Sequence, residues 1–180
     1  LAMNPKRIPL ATFAPNATVT VNGSFFTPDF RPTGLLASKG VVLNPFVKAA
    51  GGAGSGVFVL ESGRPELLER DAVGARTFER ATIAIQAGPR VLERDGRAGI
   101  RGDDGVKAHR TVIGATSRGI VAIAVIVGGD EPWLGPTLFE LQRRLGTDGV
   151  GATNPELAFQ FALNLDGGPS TGLVIRHAEA

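Results

Sequence analysis

A chain of 180 residues that is 43% hydrophobic and 20% charged carries enough apolar side chain for one globular core, and its composition is that of an ordinary globular protein. Its 19 basic and 17 acidic residues leave a net charge of +2, and the arginines are scattered from Arg7 to Arg176 rather than gathered into the stripe of a nucleic-acid reader, so no nucleic-acid partner is expected. The absence of cysteine excludes a disulfide, a thiol nucleophile and a thiolate metal site, no apolar run reaches the length of a membrane span, and no charged-then-apolar leader is visible at Leu1.

Residues 1–15 hold three of the twelve prolines and little periodicity, and read as an irregular entry segment or edge strand. Thr18 to Val21 alternates β-branched residues, a short strand that runs into Asn22-Gly23-Ser24-Phe25-Phe26. An asparagine at a strand end before glycine either presents its amide to a ligand or closes a turn, and the two phenylalanines are either core or the wall of a pocket. Residues 27–56 are rich in proline and glycine and read mostly as loop. Within them Val41 to Leu43 is a strand candidate, Asn44-Pro45 a cap for a short helix through Ala50, and Gly51 to Gly56 a flexible stretch, either linker or a loop beside a site. Val57 to Leu60 is a strand turned by Ser62-Gly63-Arg64, with Glu66 to Arg70 returning. Thr82 to Ile85 is another, delivering Gln86-Ala87-Gly88-Pro89-Arg90 at its end.

Gly96 to Gly105 is polar and glycine-rich. Its Asp103 and Asp104 suggest a cation site, but adjacent residues point apart on an extended chain, which favours a solvated loop. His109-Arg110-Thr111-Val112-Ile113-Gly114 begins a strand. Ile120 to Val127 is an unbroken apolar run, the pattern of a central strand covered on both faces. Thr137 opens a helix whose Leu138, Leu141 and Leu145 share a face, and Gly146 ends it. Asn154-Pro155-Glu156 reads as cap and start of a second helix through Phe161. Then comes Asn164-Leu165-Asp166-Gly167-Gly168-Pro169-Ser170-Thr171, followed by a strand at Leu173 to Ile175. A lone carboxylate, a glycine pair and two hydroxyls at a strand end suit a polar ligand, although an Asp-Gly hairpin turn uses the same residues. The class predicted is α+β: a single domain over 1–180, a mixed, strand-rich sheet and a few short helices.

Four of these strand ends, in this order, carry a resemblance: Asn22-Gly23-Ser24-Phe25-Phe26, Gln86-Ala87-Gly88-Pro89, Arg110-Thr111-Val112-Ile113-Gly114 and Leu163-Asn164-Leu165-Asp166-Gly167-Gly168-Pro169-Ser170. Together with Thr137-Leu138-Phe139-Glu140-Leu141 they resemble the phosphodiester glycosidase family. That family includes the uncovering enzyme that removes N-acetylglucosamine from a phosphodiester, and bacterial relatives linked to exopolysaccharide or cell-envelope sugars. The likeness runs from about Val21 to Ile175. It implies cleavage of a sugar-1-phosphodiester at the anomeric carbon, giving free sugar and a phosphomonoester, in a periplasmic or extracellular setting. Three departures stand out: Pro169 where the family has a small residue, a long stretch from Thr147 to Asn154, and a short segment before the Asn-Gly motif. Proline at 169 removes an amide donor and is expected to push Gly168 toward an extended conformation.

The residue inventory can be matched to that reaction. The phosphate wants a forked donor, and Arg110 is the candidate. The anomeric carbon develops positive charge, and Asp166 is the carboxylate placed to face it as nucleophile, base or electrostatic stabiliser. Glu140 is the candidate second carboxylate or a supporting helix-face residue. Asn22, Gln86, Gly88, Ser170 and Thr171 are candidate substrate-binding positions, with the amides of Gly167 and Gly168 as further donors. His109 is expected on the opposite strand face from Arg110, and His177 near an exposed end, so neither a histidine-based triad nor a nitrogen-rich metal centre is expected; no cofactor is called for, and an oxygen-liganded calcium or magnesium ion is left open. Two rivals remain: a module that binds a glycan or polyol phosphate without turnover, and a metal-dependent phosphodiesterase that breaks the P–O bond. The sugar, the aglycone, the anomeric outcome and the oligomeric state are not legible in the sequence.

Overall fold

Alternation of buried side chains organises the protein into layers. The computed structural model describes residues 8–48, 51–74 and 76–176. In the strand Gly56–Glu61 (β4), Val57 and Val59 point into one apolar cluster and Phe58 into another, so the sheet that contains it is covered on both faces. That sheet has five strands, all paired antiparallel, in the order Val41–Asn44 (β3), Leu36–Ser38 (β2), Ala81–Ala87 (β6), β4 and Arg64–Glu69 (β5). One of its faces packs on Val73, Phe78 and Phe46.

Its other face meets a four-stranded antiparallel sheet. The order there is Arg90–Leu92 (β7), Phe159–Asn164 (β10), Arg110–Thr116 (β8) and Val121–Ile126 (β9). Phe58, Leu67 and Ile85 from the first sheet pack with Ile113, Ala115, Phe161 and Leu163 from the second, and the Phe58 and Phe161 rings stand 6.3 Å apart. The outer face of the second sheet carries the helix Leu138–Leu145 (α2), whose Leu141 and Leu145 pack with Val112, Phe159 and Ala162. A capping box starts this helix: the Glu140 amide donates to the Thr137 hydroxyl and the Thr137 amide donates to the Glu140 carboxylate. A two-stranded ladder joins Val19–Val21 (β1) to Leu173–Ile175 (β11). The result is one α+β domain, rich in strands, in three antiparallel sheets rather than a single mixed one.

Several expectations change at the level of elements. The entry segment contains a helical turn, Leu10–Phe13 (α1). Pro45 to Lys48 is not helical, while Ala49 and Ala50 lie outside the described residues. The helix expected through Phe161 stops after one 3-10 turn, Pro155–Leu157, capped by Asn154, and the chain then becomes β10. The buried-exposed-buried alternation of Phe159, Gln160 and Phe161 is a strand pattern that outweighs the helix start signal. Residues 147–154 hold a further turn of helix, Val150–Thr153 (α3). The run through Ile120 to Val127 is not central: β9 is an edge strand with Val121 and Ile123 partly in solvent, and the fully buried strand of that sheet is β8.

Candidate functional site

β8 and β10 set the site through their register. Asn164 pairs with Val112, and the Leu165 amide donates to the Thr111 carbonyl, so the end of β10 that leads into Asp166 runs beside the start of β8 that carries Arg110. Side chains two apart on a strand share a face. Arg110 and Val112 of β8 therefore lie on the same face as Ala162, Asn164 and Asp166 of the neighbouring strand, which is the face that α2 covers. Beyond the start of α2 this face opens into a cleft of about 490 Å³. All four predicted strand ends reach it, through Phe25, through Gly88 and Pro89, through Arg110, and through Asn164, Asp166, Gly167 and Gly168. Leu138, at the first turn of the helix, and Gly52 and Ala53 of the glycine stretch also line it. Gly88 has to be glycine, since a Cβ there would stand 2.2 Å from the Gly52 carbonyl oxygen.

Arg110 is 8% exposed and has no carboxylate within ion-pair distance among the described residues. Its Nε donates to the Pro136 carbonyl at 3.1 Å and its Nη2 to the Val106 carbonyl, which fixes the plane of the fork. Burial pulls its pKa below the ordinary arginine range and the charge of Asp104 works the other way, but a guanidinium stays protonated in either case. Held by neutral carbonyls and largely stripped of water, it is a buried positive charge whose nearest opposing charges, Asp104 and Asp166, line the same cleft without closing an ion pair on it. Asp166 is half-buried and uses Oδ1 to accept from the Gly167 amide at 2.9 Å. Its backbone is clamped at both ends, the amide donating to the Gly23 carbonyl and the carbonyl accepting from Asn22 Nδ2 at 2.8 Å.

Other predicted residues serve the frame. Asn22 is buried, and besides that bond its Oδ1 accepts from the Thr111 hydroxyl at 2.7 Å and from the Gly172 amide at 3.2 Å. Gln86 is 1% exposed and uses its whole amide internally: Oε1 accepts from Leu35 and Val47, and Nε2 donates to Val47 and Gly54. Neither stands among the cleft-lining residues, and in this structure both side chains hold the frame of the site. The expected donors of the glycine pair are likewise spent, Gly167 on Asp166 and Gly168 on the His109 carbonyl. Gly168 is not extended before Pro169 but takes φ +55°, a left-handed conformation that suits glycine. The loop is no hairpin either: a 3-10 turn over Gly168–Ser170 leads to β11, which pairs with β1, and Ser170 and Thr171 do not line the cleft. Glu140 is engaged in the capping box and does not line the cleft. Phe26 is partly exposed and stacks on Phe30 at 5.2 Å, so only Phe25 walls the cleft. The His109 ring bonds the Gly129 carbonyl at 3.0 Å, away from Arg110, and His177 lies outside the described residues.

Two polar residues not assigned to the site from the sequence line the cleft. Asp104 lies on an exposed loop, as expected of that segment, and its charge is felt by Arg110. Asn164 is the other; its place two residues before Asp166 on a strand is the signal that points to it. Among the described residues no group of three His, Cys, Asp or Glu side chains is placed to hold a metal ion, and no helix is long and apolar enough to cross a membrane.

The model of the phosphodiester glycosidase family matches residues 15–179. The chain belongs to that family. This phosphodiester glycosidase family member also resembles a solved structure, a hypothetical protein from Synechocystis, with 17% identity and a TM-score of 0.55. The likeness covers 97% of this chain and 50% of that one, so the chain spans about half the length of that protein, and at this identity it speaks for the fold alone. No curated protein matches the chain closely in sequence. The family name is that of glycosidases that act on phosphodiesters.

Proposed function

We propose that the cleft hydrolyses the glycosidic C–O bond of a sugar-1-phosphodiester. The observation that carries this reading is Arg110: a buried guanidinium at the cleft, its plane fixed by two backbone carbonyls and engaged in no ion pair among the described residues, suits an anionic phosphate. Asp166 lines the same cleft, so a phosphate on Arg110 would bring the adjoining anomeric carbon toward the carboxylate. As the bond from C1 to the phosphate oxygen breaks, its electron pair stays on that oxygen and C1 becomes electron-poor. Asp166 then acts as nucleophile, as base for an attacking water, or by its charge. Water oxygen ends on C1 and the leaving group departs as a phosphomonoester. Phosphate leaves readily, which lightens the need for a strong general acid. In this reading Asp104, the other carboxylate that lines the cleft, carries a proton to or from the leaving group, while Glu140 holds the turn that presents Leu138. The setting we assign is periplasmic or extracellular, on envelope or exopolysaccharide sugars; cell fractionation that finds the protein only in cytoplasm would remove that part.

The test is hydrolysis of a panel of sugar-1-phosphodiesters by wild type, Asp166→Asn and Arg110→Ala. Free sugar should appear with wild type, fall by about a thousandfold or more in Asp166→Asn, and fall strongly in Arg110→Ala with a raised KM. Binding without turnover by the wild type, unchanged in Asp166→Asn, would replace the enzyme with a binding module.

A further inference from the structure

Asn164 is 4% exposed and lines the cleft. Its Nδ2 donates to the Gly88 carbonyl at 3.1 Å, and the Gly88 amide donates back to the Asn164 carbonyl at 3.0 Å. That bond fixes the carboxamide, because turning it over would set two oxygens against each other. Its Oδ1 is left buried with no hydrogen-bond partner among the described residues. A buried acceptor without a donor is costly, and few such atoms occur in a native fold. An amide oxygen accepts and cannot donate, so it repels a phosphate oxygen and takes a hydroxyl. Asp166 lies two residues along the same strand face, about 7 Å away along the chain, within the span of one hexose.

We propose that Asn164 Oδ1 accepts a hydrogen bond from a ring hydroxyl of the sugar, making Asn164 a specificity-determining residue. This rests on the reading of the cleft as a sugar-phosphodiester site. It divides the cleft by chemistry: the donor face of Arg110 takes the phosphate, and the acceptor at Asn164 takes the sugar. A sugar lacking that one hydroxyl leaves the oxygen unpaired and is rejected.

Side-chain nitrogen NMR on the full chain tests this with two kinds of probe added separately: the methyl α-glycosides of glucose, N-acetylglucosamine, galactose and mannose, and inorganic phosphate. At least one glycoside should shift the Asn164 Nδ2 resonances, and its affinity should fall about tenfold or more in Asn164→Ala and Asn164→Leu. Inorganic phosphate should shift the Arg110 Nε resonance and bind those variants as it binds wild type, which also reports that they fold. Glycoside binding of equal strength in the variants overturns the proposal. So does a glycoside that binds while the Asn164 amide stays still, or the absence of binding by every glycoside, which would leave water as the partner. Should both variants fail to fold, the wild-type shifts decide. Phosphate that leaves Arg110 unmoved, with the Asn164 response intact, would count against the phosphate role of Arg110 and leave the Asn164 assignment standing.

Discussion

Arg110 and Gln86 are both buried polar side chains, yet they are opposite in kind. Gln86 closes on itself energetically: every donor and acceptor of its amide is matched by backbone of the Leu35, Val47 and Gly54 segments. Gln86→Leu strands those four backbone groups. It should lower unfolding free energy by about 3 kcal/mol in chemical denaturation, since each buried group left unpaired costs roughly 1–3 kcal/mol and some will re-pair. Arg110 instead carries a charge that folding has desolvated and that the charge of Asp104 offsets only in part, with no ion pair formed. Arg110→Met removes that burden together with two bonds to carbonyls, so the two effects oppose each other. Stability should stay within about 1 kcal/mol of wild type while phosphate binding is lost. A loss of several kcal/mol would show that Arg110 is a structural residue and not a ligand-facing one. Asn22 stands between these cases, because it holds the Asp166 carbonyl, the Thr111 hydroxyl and the Gly172 amide together. Asn22→Ala should cost about 2 kcal/mol and lower kcat more than it raises KM.

At the scale of elements, α2 and β9 show what neighbouring structure decides. The leucine spacing and the Thr137 and Gly146 boundaries of α2 are legible because a capping box and a helical stripe are local signals. Thr137→Ala should cost about 1 kcal/mol in thermal unfolding, and Glu140→Gln, which can still complete the box, should keep activity. A large loss of turnover in Glu140→Gln without loss of stability would restore that residue to the chemistry. The apolar run of β9 misleads because hydrophobic composition cannot distinguish a central strand from an edge strand paired on one side only. Ile123→Lys should therefore be tolerated within about 1 kcal/mol, as charges on edge strands are, whereas the same change at Ile113 should abolish folding. The strand Phe159–Asn164 is hidden behind a genuine cap at Asn154, which closes only a single 3-10 turn. The glycine-pair loop can be located from sequence, but the loss of its amides to Asp166 and His109 depends on a path no local pattern encodes.

Across the whole molecule, two antiparallel sheets share a core around Phe58 and Phe161, and α2 covers only part of the outer face. The uncovered remainder is the cleft. Its position follows from four strand ends distant in sequence, and their order along the chain is legible in the sequence alone. Their division of labour is not, because it turns on how packing spends each side chain: Arg110 and Asn164 line the cleft, and Asn164 Oδ1 has no partner among the described residues, while Asn22 and Gln86 spend their amides on the frame. The proposed chemistry stands or falls on which bond breaks. Hydrolysis of a sugar-1-phosphodiester in isotopically labelled water, with the phosphomonoester analysed by mass spectrometry, decides it. C–O cleavage predicts an unlabelled phosphomonoester and label on the sugar at early times. Label in the phosphate would mean P–O cleavage and would contradict the glycosidase mechanism.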